Sequence, residues 1–193
     1  QNGLTPSSIT IGIDGLTTDL NVNTALTANG PITLYGNNIT VSQSLTSSGS
    51  SALQGIYLKS KGNITSNSDV NYTTNAADIT FWSDSDASGG GYIYIQDRNR
   101  IDTRTNANRT SSLISTASGG GTITLGGGNT STTLASGTVV PTGFAADNTS
   151  SLPGGVSLGY FNTGHSSGVN LYSGGGNITV RGKSTSNWSG ESD

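Results

Sequence analysis

Residues 31–49 read PITLYGNNITVSQSLTSSG, and residues 55–75 read GIYLKSKGNITSNSDVNYTTN. Each begins with short apolar–polar–apolar triads, Ile32-Thr33-Leu34 and Ile39-Thr40-Val41 in the first, Ile56-Tyr57-Leu58 in the second. A period of two is the mark of a strand with one buried face. The steps between triads are rich in Asn, Gly and Ser, which suit turns and positive φ. The spacing then decides the architecture. Ile32, Ile56 and Ile79 lie 24 and 23 residues apart, and both Ile39/Ile64 and Leu45/Val70 lie 25 apart. Three strand positions recur in a fixed order. A series of hairpins has no reason to repeat a three-strand cycle. A right-handed parallel β-helix (β-solenoid) of about 23–25 residues per coil does, because each strand pairs with its equivalent one coil later. An antiparallel β-sandwich is the alternative, since it also uses many short strands.

Working outward, Ile9-Thr10-Ile11, Ile79-Thr80-Phe81, Ile93-Tyr94-Ile95, Ile123-Thr124-Leu125 and Ile178-Thr179-Val180 carry the same pattern. The middle residues form outward columns dominated by Thr10, Thr33, Thr40, Thr65, Thr80, Thr124 and Thr179, β-branched side chains suited to a pleated surface. Polar insertions near 82–91, 104–118 and 129–155 are expected to be corner loops. Val156, Val169 and Ile178 resume the pattern for a last coil or two. Residues 1–193 thus read as one β-helical module.

Composition narrows the function. Charged residues make up 10% of the chain and the net charge is -3, against about 25% charged in ordinary soluble domains. With no basic tract, a nucleic-acid partner is disfavoured. The chain has no cysteine, so neither a disulfide framework nor a thiolate metal site is available. No apolar run is long enough for membrane insertion as a helix. The chain starts at Gln1 and lacks Met, which reads as a mature chain or a segment of a longer one. Disorder is argued against by the low net charge and by the strict patterning of the apolar residues.

The stretches DITFWSDSDASGGGYIYI (78–95), GGGTITLGGGN (119–129) and SGGGNITVRGKS (173–184) resemble the repeats of filamentous-haemagglutinin-like bacterial surface adhesins. The resemblance is one of composition and period and covers Gly30 to Ser184. It implies a secreted, elongated β-helix with a role in attachment. Separately, the ends of such a coil expose unpaired strands, and no amphipathic segment here reads as a cap, so neighbouring modules or copies of itself are expected to cover at least one end. It carries over no catalytic residues.

Several constellations are weighed on their chemistry. Asp84, Asp86 and Ser88, followed by Gly89, match the first half of a calcium loop, which places oxygen ligands at alternate positions and then a glycine. The bidentate acid expected later in such a loop is replaced by Ile95. The plainer reading is an exposed corner in which Asp and Ser bond the local backbone; chance matches of short motifs favour it. Asp97-Arg98-Asn99-Arg100-Ile101-Asp102-Thr103-Arg104 is the densest charge run. It holds the residue types of β-helical polysaccharide lyases or hydrolases. Its plainer reading is an exposed strand edge of mutually neutralising charges. His165, the only histidine, reads as a loop residue. The glycine runs lack the Lys and helix of a phosphate loop. Eight N-x-S/T sequons follow from an Asn/Thr-rich composition. Trp82, Tyr57 and Tyr94 are candidate sugar-stacking rings, with packing between coils as the competing reading.

The expected function is therefore a non-catalytic structural and adhesive module of a secreted bacterial surface protein or filament. It needs no cofactor beyond a candidate calcium, and surface polysaccharide is a candidate ligand. The alternatives are a polysaccharide-degrading enzyme or carbohydrate-binding module on the same scaffold, and ice binding through the threonine columns.

Overall fold

A computed structural model describes residues 4–49, 55–88, 90–110, 119–147, 154–159 and 168–184. The described residues are all-β apart from one short helix. Its strands, numbered in chain order, lie in three main sheets that the chain visits in rotation. The first sheet holds β1 (Ile9–Ile11), β4 (Ile32–Gly36), β7 (Ile56–Ser60), β10 (Ile79–Ser83) and β13 (Ile123–Thr133). The second holds β2 (Leu20–Val22), β5 (Ile39–Val41), β8 (Ile64–Ser66), β11 (Ile93–Ile95) and β16 (Val156–Leu158). The third holds β3 (Leu26–Ala28), β6 (Leu45–Ser47), β9 (Asn71–Thr74), β12 (Arg100–Asp102) and β17 (Asn170–Tyr172). The chain then returns to the first sheet, where β18 (Ile178–Val180) pairs with β13. All these pairings are parallel, which excludes the antiparallel sandwich.

The register is that of stacked, equivalent residues. Ile9, Ile32, Ile56, Ile79, Ile123 and Ile178 form one column on the first sheet. Leu20, Ile39, Ile64, Ile93 and Val156 form one on the second. These columns meet in a single apolar core in which Ile32, Ile39, Ile56, Ile64, Ile79 and Ile93 are fully buried. Burial of one such side chain is worth about 1.5–3 kcal/mol.

The third column departs from the spacing. Leu45 pairs with Tyr72, not with Val70, and Tyr72 pairs in turn with Ile101. The step from Ile64 to Tyr72 is two residues longer than the equivalent step from Ile39 to Leu45, and Asp69 lies in the longer corner at φ 66°. Tyr72 is fully buried, its ring edge-on to Phe81 at 4.8 Å. Its hydroxyl donates to Ser66 Oγ (2.8 Å), and Ser66 donates to Asn99 Oδ1 (2.7 Å).

The expected loops are also corrected. The first insertion begins at Asp84, because Trp82 and Ser83 belong to β10. The second opens with the helix α1 (Asn106–Thr110); residues 111–118 lie outside the described ones. The described residues of the third are largely strand. β13 runs on to Thr133 and forms an antiparallel hairpin with β14 (Val139–Gly143), after which β15 (Ala145–Asp147) pairs with β19 (Gly182–Ser184). Runs of Thr and Val favour extended backbone even where no apolar alternation announces a strand. The hairpin is tied back to the first sheet: Ser136 in its turn donates to the buried Asp78 carboxylate. A side chain at Gly126 would lie 3.3 Å from the Pro141 ring. Thr80 and Thr124 are buried, and Tyr57 interrupts the threonine column between Thr33 and Thr80. The outer face of this sheet is therefore not the open threonine array that the sequence suggested.

Candidate functional site

The acidic corner after β10 splits its two aspartates. Asp84 is buried at φ 48°, and its N–H donates to Gly62 O (3.2 Å). Asp86 is exposed, accepts the Ser88 N–H (3.2 Å) and lies 3.5 Å from Lys61 Nζ. Partial burial acts to raise the Asp86 carboxyl, but the Ser88 hydrogen bonds and the Lys61 charge outweigh it and leave it below the usual carboxylate range. Gly91 closes the corner. A Cβ there would lie 2.5 Å from Asp84 N, and its backbone exchanges two hydrogen bonds with Ala146. Among the described residues no group of three His, Cys, Asp or Glu side chains is placed to hold a metal ion.

The aromatic residues form a packed row. Tyr57 meets Tyr35 and Trp82 edge to face, with centroids 6.3 and 6.5 Å apart. Lys59 Nζ, ion-paired to Asp14 at 2.8 Å, lies 4.5 Å from the Trp82 ring centre. Trp82 Nε1 donates to Gly128 O at 2.6 Å. Tyr57 and Trp82 are buried as a result, whereas Tyr94 on the second sheet is half-buried. Tyr57 and Trp82 are thus not exposed sugar-stacking rings, and the competing packing reading describes them: Trp82 is held by the Gly128 carbonyl of the hairpin, and Tyr57 packs between Tyr35 and Trp82.

The charge run from Asp97 to Arg104 builds the most concentrated polar site. It is not an exposed edge, because Asp97, Asn99, Asp102 and Arg104 are buried. Three guanidinium groups converge on the Asp102 carboxylate. Arg104 contributes a two-pronged contact, Nε to Oδ1 at 3.0 Å and Nη2 to Oδ2 at 2.9 Å, and its backbone N–H adds a third bond. Arg109 Nε from α1 reaches Oδ2 at 3.2 Å, and Arg100 Nη2 contacts the same oxygen. Tyr172 lies one strand over, directly opposite Asp102. Its ring centre is 4.3 Å from the Arg104 guanidinium carbon and 5.0 Å from that of Arg100. Burial alone would raise the Asp102 carboxyl. The Arg104 hydrogen bonds, the Arg109 charge and the Arg100 hydrogen bond outweigh it and hold it at about 2. Arg109 also caps carbonyls of Thr74 and Arg104, so it fastens the helix to the third sheet.

A shallow cleft of about 420 Å³ lies where the hairpin turn meets the start of β10, lined by Asp78, Gly119–Gly121, Ser136 and Asn177 among others. Asp78 accepts the Thr122 N–H at 2.7 Å besides the Ser136 hydroxyl. Both bonds fix the hairpin, which gives Asp78 a structural task.

Comparison with protein-family models, with curated proteins and with solved structures returned no match. Of the residues singled out in the sequence, Asp84, Asp86 and Ser88 share one corner, and Tyr57 and Trp82 share one row. His165 lies outside the described residues. Sequence reasoning missed Arg109 and Tyr172, which join Asp102 from 7 and 70 residues away. Only the alignment of β12 with β17 makes the second of these a neighbour, and no local motif announces it.

Proposed function

We propose that the chain is a right-handed β-helical rod module of a secreted bacterial surface adhesin or extracellular filament, non-catalytic and joined end to end with neighbouring modules or further copies. Right-handed crossovers are the rule, in about 98% of parallel connections. The observation that carries the reading is the match between the two ends. At one end β1, β2 and β3 are edge strands around a shallow, mostly apolar cleft of about 220 Å³ lined by Ile11, Leu20, Val22 and Leu26. At the other, the last circuit leaves Leu158, Ile178 and Val180 40%, 45% and 44% exposed. Both ends thus offer parallel edge strands and uncovered apolar side chains in the same three-sheet arrangement. An open edge of this kind templates further pairing, and head-to-tail contacts that do not close produce a rod.

Sedimentation and electron microscopy of the chain over a range of concentrations test the proposal. Concentration-dependent elongated species are expected, suppressed by Leu20→Lys at one end or Ile178→Lys at the other without loss of the folded circular-dichroism spectrum. A compact monomer at high concentration would overturn it. Release of new reducing ends or unsaturated products from an acidic polysaccharide would replace it with the enzymatic reading.

A further inference from the structure

The outer face of the third sheet carries a site that the rod reading does not use. We infer that Arg100, with Asn71 and Asn170 on either side, binds a carboxylate-bearing saccharide. This deepens the adhesive reading by assigning a ligand class and a face.

Arg100 stands directly opposite Asn71 on β9 and Asn170 on β17. Opposed residues of a parallel sheet share a face, so the three side chains form a row across adjacent strands about 4.8 Å apart. Both asparagines are exposed, and the Arg100 side chain keeps 36% of its surface exposed. The row therefore presents amide, guanidinium and amide to solvent on one flat surface.

Charge comes next. Arg100, Arg104 and Arg109 meet a single carboxylate, Asp102. The cluster holds a surplus of positive charge in a chain whose net charge is -3. Arg104 and Arg109 saturate Asp102 with less exposed guanidiniums, at 7% and 21% side-chain exposure. Arg100 is the member that reaches the surface. Its Nη2 contacts Asp102 and its enclosed Nε donates to no partner and lies out of a ligand's reach, so a ligand would be met by the other end of the guanidinium fork. The local donors thus exceed the local acceptors. A planar guanidinium recognises a carboxylate through paired, charge-assisted hydrogen bonds.

The flanking groups choose among carboxylates. An asparagine amide both donates and accepts, which suits sugar hydroxyls. Tyr172, on the same strand as Asn170, packs its ring against the Arg100 and Arg104 guanidiniums and so helps to hold Arg100 in the row. An oligoglutamate would use the arginine but offers the two amides only backbone groups, where a uronic acid offers several hydroxyls beside its carboxylate.

Titration calorimetry on the intact chain tests this with an oligogalacturonate, its fully methyl-esterified neutral counterpart and an oligoglutamate peptide. The oligogalacturonate should bind, and the ester should bind at least about tenfold more weakly, the weight of one charge-assisted hydrogen bond. Arg100→Gln should cause a similar loss. Arg98→Gln, which makes the same change in net charge at the exposed Asp69 pair, should leave binding within about twofold, a difference expected only if the charge acts locally. Asn71→Ala with Asn170→Ala provides a second variant on exposed positions should Arg100→Gln unfold, and it too should weaken binding. Equal binding of acid and ester, equal losses in the Arg98 and Arg100 variants, tighter binding of oligoglutamate, or no binding would each overturn the proposal. The assay reads binding by the single chain, so its failure is distinguishable from failure of the rod to assemble.

Discussion

Asn38 Oδ1 accepts the backbone N–H of Asn63 at 2.9 Å, and Asn63 Oδ1 accepts that of Tyr92 at 3.0 Å. Asp19 begins the same series, accepting from the Asn38 backbone at 3.1 Å and from its side chain at 3.0 Å. Each residue stands just before its strand of the second sheet, so side chains continue the ladder through a corner where the backbone alone would leave donors unmet. Asn38→Ala removes one acceptor and one donor. The expected loss is about 1–2 kcal/mol, read as a lower urea midpoint with an unchanged slope. A midpoint equal to that of the parent chain would show that water serves the corner as well.

The isoleucine column gives the largest expected effects. Ile56 is fully buried between Ile32 and Ile79. Ile56→Val should cost about 1 kcal/mol and Ile56→Ala about 2–5 kcal/mol. Ile56→Asp should prevent folding, because an unpaired charge would be enclosed in the core. Far-ultraviolet circular dichroism during denaturation checks the series, which should follow the volume removed.

Asp102 links stability to acid. Its folded value of about 2 lies below the ordinary 3.8, so the ionised form is favoured by folding. The stabilisation is complete above the ordinary value and is lost as pH falls from about 4 through about 2, an effect of about 2 kcal/mol. Asp102→Asn should flatten that part of the stability–pH curve. It should also cost about 3–5 kcal/mol at pH 7, because partly buried guanidiniums lose their counter-charge. A variant with the same acid dependence as the parent would assign the slope to other carboxylates.

At the acidic corner, millimolar calcium is expected to leave the melting temperature unchanged. Asp84 is buried in the corner, and Asp86 is engaged by Ser88 and Lys61. A calcium-dependent rise, by mass action, abolished by Asp84→Ala with Asp86→Ala, would restore the calcium loop.

The sequence by itself determined the strands marked by apolar–polar–apolar triads in the regular coils and two of the three inner columns. Side-chain alternation and a nearly constant repeat are local properties, and Ile32, Ile39, Ile56, Ile64 and Ile79 carry both. It did not determine the third column, where two extra residues at a corner put Tyr72 under Leu45 although Tyr72 sits in a polar stretch. Nor did it disclose that the polar segment after Gly128 folds back as a hairpin and that the Gly128 carbonyl holds Trp82, since the fold-back is tied by Ser136 meeting Asp78 from 58 residues away. The Asp97–Arg104 run was legible as charge, but its geometry was not. Only the alignment of β9, β12 and β17 sets Asn71, Arg100 and Asn170 in one row and brings Tyr172 to Asp102. Strand register in a parallel sheet depends on the lengths of the corners between successive strands, and corner lengths and insertions change it without leaving a local signature.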